Sequence, residues 1–180
     1  LIASNYKKNS EVNKLNFYKI NEEFFLSNDL YEIFKIAFDV SDKTNGIYDI
    51  TVGSVVNNLG FGPDLFLENQ YVFEPYSEKF LFNQNNKSIR KLKDTVFDLS
   101  SVAKGYAVDA ISNYLLANNF NNYLIDIGGE IAANGFSKSG FWTIGIQDPQ
   151  SLQQNVSFTV PNSNKFIGVA TSGDYLNFKY

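Results

Sequence analysis

Apolar residues recur along this chain with two different periods, and the switches between them mark out its elements. Leu30, Ile33, Phe34, Ala37 and Phe38 return at helical spacing after Ser27. Ser27 is a strong helix N-cap, and Asp29 places an acid in the first turn, where the helix dipole favours one. The helix should end near Asn45-Gly46, because glycine accepts the left-handed backbone that stops a helix. Ser10 predicts the cap of a shorter helix within residues 9–16. A second amphipathic helix follows Ser100-Ser101, with Ala103, Ala107, Ala110, Ile111, Tyr114 and Leu115 on one face and an end at Asn118-Asn119. Residues 47–52, 95–100, 122–127, 141–146 and 156–160 read as strands. Gly60-Phe61-Gly62-Pro63 has the composition of a turn, and residues 64–95 read as an insert of short strands and turns. Gly128-Gly129 interrupts a strand pattern, which predicts a bulge or the close approach of a ligand or another backbone. Strands in runs with two intervening helices predict an α+β fold, its mostly antiparallel sheet packed with helices.

Composition narrows the chemistry more than the fold. The 180 residues, 44% apolar and 19% charged, suffice for one domain with a sizeable core. A net charge of −4 and the absence of any long Lys/Arg cluster argue against a nucleic-acid partner, which would require a basic face. No stretch approaches the roughly 18 apolar residues that span a bilayer. Cysteine and histidine are both absent. Disulfides, thiolate nucleophiles, zinc–thiolate sites and a Ser-His-Asp triad therefore cannot be assembled from these residues alone. Chemistry must rest on carboxylates, hydroxyls, amides, Lys and the backbone. The chain opens at Leu1, without Met, inside what reads as a structured segment. The expectation is a single domain over residues 1–180, cut at both ends from a longer polypeptide.

Four segments could carry chemistry. In Asp98-Leu99-Ser100-Ser101-Val102-Ala103-Lys104-Gly105 a strand delivers a carboxylate and two hydroxyls to a helix start. Unpaired N–H groups and the helix dipole favour an anion there, Lys104 suits a phosphate, and Gly105 permits close approach. Equally, one serine caps the helix and Lys104 is solvated. Gly46-Ile47-Tyr48-Asp49-Ile50-Thr51-Val52-Gly53 sets an acid and a hydroxyl at a strand start, or is a turn Asp followed by a β-favouring Thr. Gly128-Gly129-Glu130 offers a carboxylate beside exposed backbone, or an exposed Glu after a bulge. Thr171-Ser172-Gly173-Asp174-Tyr175 suits phosphate or hydroxyl recognition, or forms an ordinary polar turn.

These segments, with Ser4-Asn5-Tyr6, Asn9-Ser10-Glu11 and Gly60-Phe61-Gly62-Pro63, occur in the order found in the ApbE family of FAD:protein FMN transferases. The chain resembles that family along nearly its whole length. The resemblance implies a T-fold-like architecture and an enzyme that binds FAD and Mg²⁺. Such an enzyme cleaves the pyrophosphate, attaches FMN through a phosphoester bond to a Thr of an acceptor protein, and releases AMP. It further implies acceptors such as subunits of membrane redox pumps. The setting implied is periplasmic or cell-envelope, with a lipid anchor in the inner membrane. Carried over position by position, Tyr6, Ile47, Tyr48 and Asp49 are implied flavin-nucleotide contacts. Asp98 and Lys104 are implied FAD contacts, and Ser101 an oxygen donor to Mg²⁺. Lys104 varies in type between family members, and Asn58-Leu59 stands where many relatives have Leu-Trp. The family pattern continues beyond Tyr175 with a His-containing segment and an Asp/Thr metal motif. Two other readings share the same nucleotide contacts: an FAD pyrophosphatase yielding FMN and AMP, and a non-catalytic flavin-binding module.

Overall fold

In the computed structural model, which describes residues 2–63, 74–147, 156–161 and 166–172, Ser10 and Ser27 each start a helix. The Ser10 hydroxyl accepts from the Asn13 N–H, capping α1 (Glu11–Asn16), and the Ser27 hydroxyl accepts from Leu30, capping α2 (Asn28–Lys43). The Glu11 carboxylate accepts from both the N–H and the hydroxyl of Ser27, tying the two caps together. Helix α2 ends at Thr44, and Gly46, at φ +80°, returns its N–H to the Ser41 carbonyl, the left-handed stop expected from the sequence.

The chain divides into two compact units, Leu1–Ala103 and Lys104–Tyr180. The first holds α1, β1 (Glu23–Phe25), α2, α3 (Gly53–Asn58), α4 (Tyr76–Lys79), β2 (Phe80–Asn83) and β3 (Ser88–Lys91). Its antiparallel sheet has the order β1-β3-β2. Leu30, Ile33, Phe34 and Ala37 of α2 are buried, and Phe34 meets Phe97 edge-on with ring centres 5.2 Å apart. Phe38 stacks on Phe80 and meets Phe82 edge-on, so the apolar stripe of α2 closes over aromatic side chains. Inside the insert, described from residue 74 onward, the short strands are β2 and β3.

Two segments that alternate like strands are not strands. Residues 47–52 and 95–99 run side by side with one isolated parallel bridge, Val52 to Val96. Several of their backbone groups are met by side chains rather than by a ladder. The Tyr48 N–H donates to the Thr44 hydroxyl, the Thr51 N–H to Asp49 Oδ1, and the Phe97 N–H to Asn16 Oδ1. Close approach is enforced by Gly53, where an added Cβ would lie 2.6 Å from Val96 Cγ1 and 2.7 Å from the Val96 carbonyl oxygen. The sequence pattern also hid α3, whose β-branched and Asn residues disfavour a helix in isolation.

Helix α5 (Ser100–Ala117) begins in the first unit and continues into the second. It leads to β4 (Tyr123–Ile127), β5 (Glu130–Asn134), β6 (Phe136–Ser137), β7 (Gly140–Phe141), β8 (Thr143–Gln147), β9 (Val156–Pro161) and β10 (Ile167–Val169). Antiparallel pairings give a β10-β5-β4 sheet and the hairpins β6-β7 and β8-β9. Val108 packs with Tyr123, Ile125 and Ala132, flanked by Leu115 and Ile127. This corrects the expected inner face of α5. Val108 and Ser112 are the buried positions, while Ile111 and Tyr114 stand 43% and 67% exposed. The reason is polar: the buried Tyr123 hydroxyl needs a partner and finds the Ser112 hydroxyl. Gly128-Gly129 is likewise not a bulge but the two-residue turn of the β4-β5 hairpin. The φ values of +59° and +92° match the twist that antiparallel strands require.

Candidate functional site

Within the first unit the start of α5 gathers three of the residues singled out in the sequence. Asp98 is buried, its N–H donates to the Ile50 carbonyl (2.8 Å), and its Oδ1 accepts from the Ser100 N–H (2.8 Å). The carboxylate therefore holds the first turn of the helix, whose own N–H groups lack intrahelical acceptors. One residue further, the Ser101 hydroxyl lies 2.7 Å from the Tyr48 hydroxyl. Burial pushes the Tyr48 phenol above its ordinary range; the Ser101 hydrogen bond opposes the rise and the Asp98 charge adds to it. Tyr48 thus remains a neutral hydroxyl at physiological pH, able to donate to an anionic oxygen.

The neighbouring candidates are differently placed. Asp49 faces inward: its Oδ1 accepts from the N–H and hydroxyl of Thr51, and its Oδ2 lies 3.3 Å from Lys79 Nζ. That carboxylate supports the segment rather than projecting from it. Ile47 is 87% exposed. The exposed Tyr6 donates its hydroxyl to the Phe61 carbonyl, linking the Ser4-Asn5-Tyr6 motif to the Gly60-Phe61-Gly62-Pro63 turn. Within the second unit, Lys104 pairs with Glu130 (2.6 Å) and donates to the Gly128 carbonyl (3.3 Å). The Gly128-Gly129-Glu130 motif therefore serves to hold a half-exposed ammonium. Thr171 Oγ1 lies 3.3 Å from where a Cβ on Gly129 would stand, so this turn and the Thr171-Ser172 motif adjoin. Gly173-Asp174-Tyr175 fall outside the described residues.

Gly105 sits inside α5, and among the described residues nothing lies within 4 Å of the Cβ it lacks. Packing does not demand glycine there. The donor atoms at the start of α5 are all oxygens, a set that suits a hard cation. Among the described residues, however, no three of His, Cys, Asp and Glu come together, so they do not form a complete metal site by themselves. The Ser101 hydroxyl, at the position where the sequence resemblance implies an oxygen donor to Mg²⁺, meets the Tyr48 hydroxyl.

Sequence reading missed the residues that hold this region in place. Asn16 bonds both the N–H and the carbonyl of Phe97, the residue before Asp98, and Asn5 donates to the same carbonyl. Ser10, Asn13 and Asn16 recur every third position and are all buried. That polar stripe beside Val12 and Leu15 was the available signal. Tyr76 and Lys79, which grip residues 48–51, carried none.

The ApbE family model matches residues 2–179. The chain belongs to the ApbE family. It is 32% identical over 183 residues to a Vibrio cholerae protein named FAD:protein FMN transferase, an alignment covering 97% of this chain and 54% of that protein. A Haemophilus influenzae protein of the same name is 35% identical over 185 residues, covering 96% of this chain and 53% of its own length. Among solved structures, the flavin transferase ApbE from Vibrio cholerae superposes with a TM-score of 0.73 at 31% identity, over 98% of this chain and 59% of that one. The ApbE protein from Thermotoga maritima gives a TM-score of 0.77 at 28% identity, over 96% and 58%. The α+β reading holds in this family, and the chain spans about half the length of the curated relatives it matches.

Proposed function

We propose that this chain is the nucleotide-handling part of an FAD:protein FMN transferase. The supporting observation is the cluster at the start of α5, where Tyr48, Ser101 and Asp98 meet at a helix N-terminus. A diphosphate there would meet the positive end of the helix dipole, with the Tyr48 and Ser101 hydroxyls as donors. Lys104, the first residue of the second unit, is of the type that pairs with phosphate. The relatives' names carry the same activity.

In this reading the hydroxyl oxygen of an acceptor Thr attacks the FMN phosphorus of FAD. The bond from that phosphorus to the bridging oxygen breaks, AMP leaves with the oxygen, and the Thr proton is released. Fixed dipoles at the helix start need no reorganisation as charge develops, which is how a site of this kind lowers such a barrier. Mg²⁺, when bound, would neutralise charge on the diphosphate, with Ser101 among its oxygen donors. Tyr6, Ile47 and Tyr48 would contact the flavin nucleotide, while Asp49 would act through its bonds to Thr51 and Lys79. The acceptors in this reading are Thr-bearing proteins such as subunits of membrane redox pumps, and the setting is the cell envelope, with a lipid anchor.

The test is incubation of the full-length protein with FAD, Mg²⁺ and Thr-containing acceptors from the same genome. A fluorescent adduct that survives denaturation, with stoichiometric AMP, is expected. AMP and FMN release without any adduct would reassign the chain as an FAD pyrophosphatase. FAD binding without turnover would leave a binding module.

A further inference from the structure

Residues 48–51 carry Tyr48 to the candidate site, yet they belong to no strand, and each of them is engaged by one of two side chains of α4. The Tyr76 hydroxyl donates to the Tyr48 carbonyl (2.9 Å) and accepts from the Ile50 N–H (3.3 Å), bridging the peptide groups on either side of Asp49. One helical turn on, the buried Lys79 ammonium donates to Thr51 Oγ1 (2.8 Å) and lies 3.3 Å from Asp49 Oδ2. Thr51 in turn donates to Asp49 Oδ1 at 2.6 Å. Between them, the two side chains engage every residue from Tyr48 to Thr51.

Helix α4 is itself firmly seated. The Tyr76 ring packs against Phe38 and Phe80 at 5.8 and 5.3 Å, and the Leu92 N–H donates to the Lys79 carbonyl. A strand ladder would fix residues 48–51 through their backbone alone. Here two side-chain heads share that task with the Thr44 hydroxyl and the Asp98 N–H, and Tyr48 reaches the Ser101 hydroxyl from the end of the segment.

We infer that Tyr76 and Lys79 are positioning residues for FAD, acting through residues 48–51 to hold the Tyr48 hydroxyl against Ser101. This rests on the proposed flavin-nucleotide role of the α5 start. Neither residue need touch the nucleotide. Their effect is on the orientation of Tyr48, and so on nucleotide affinity more than on turnover.

The experiment uses the full-length protein, with FAD affinity measured by quenching of flavin fluorescence and turnover by AMP release. Wild type is measured first: failure to bind FAD would sink the functional reading, and this inference with it. Given binding, Tyr76→Phe keeps the ring packing and removes both bridging hydrogen bonds. It should weaken FAD affinity by about fivefold to tenfold, the scale of one or two net hydrogen bonds, and leave kcat within about twofold. In a Tyr48→Phe background the same substitution should change affinity by less than about twofold, because the group being positioned is already gone. Lys79→Arg keeps the charge, displaces the donor and should follow the same pattern, so the inference remains testable if Tyr76→Phe folds poorly. Unchanged affinity in both single variants, or full additivity with Tyr48→Phe, would overturn the inference while leaving FAD binding intact.

Discussion

Replacing Asn16 by Leu should destabilise the protein out of proportion to the change in side-chain volume. Phe97 is fully buried, and its N–H donates to Asn16 Oδ1 at 2.8 Å. Its carbonyl accepts from Asn16 Nδ2 at 3.0 Å and from Asn5 Nδ2 at 3.1 Å. Leu at position 16 removes both Asn16 bonds to Phe97, together with the longer one to Asn13 Oδ1. The carbonyl keeps Asn5, but the N–H loses its acceptor in a region closed to water. A net hydrogen bond is worth about 0.5–1.5 kcal/mol and a stranded buried donor costs about 1–3, so the expected loss is roughly 2–4 kcal/mol. Against a typical total of about 5–15 kcal/mol that is a large fraction. Asn5→Ala provides the control. It removes one bond to a carbonyl that keeps Asn16, and it deletes Asn5 Oδ1, which has no partner among the described residues. Its cost should be less than about half that of Asn16→Leu. Urea denaturation of the full-length protein followed by circular dichroism measures both. Equal losses for the two variants, or a loss below about 0.5 kcal/mol for Asn16→Leu, would refute the idea that Asn16 substitutes for a strand partner of Phe97.

Gly105→Ala separates fold from ligand. Nothing described obstructs the new Cβ, so helix propensity should raise stability by about 0.5–1 kcal/mol, while FAD affinity falls if the nucleotide lies close to the α5 backbone. Thermal melts and flavin titration read the two effects, and a rise in both would remove the close approach. Alkaline pH should weaken the fold through its raised tyrosines. Burial pushes Tyr76 from its ordinary 10.0 up to about 12, the Ser41 hydrogen bond opposing and the Asp49 charge adding to the rise; Tyr48 is raised as well. The folded state therefore holds these protons more tightly than the unfolded chain. Their contribution to stability is complete below pH 10 and is lost as pH climbs towards 12. Denaturation curves across that window should show a smaller decline in Tyr76→Phe, and an identical decline would count against the assignment.

Local chemistry was enough to place the capped helix ends. Ser10, Ser27 and Gly46 lie at helix ends because capping depends on a hydroxyl or a left-handed residue within one turn of the boundary. The stripe from Leu30 to Phe38 named its own buried face, and the motif around Asp98 and Ser101 could be read as a helix start. What the sequence could not contain was the identity of partners distant along the chain. Residues 47–52 and 95–99 have strand-like alternation, but side chains from Asn16, Thr44, Asp49 and Tyr76 take the place of a ladder. Asp49 reads as a candidate ligand until Lys79, 30 residues away, is found against it. Ser112 lies off the apolar face read from the sequence, yet it is buried with the Tyr123 hydroxyl as its partner. Periodicity records which residues avoid water. Only the folded chain decides which polar groups meet, because a buried hydrogen bond needs both partners within about 3 Å and sequence distance does not set that separation.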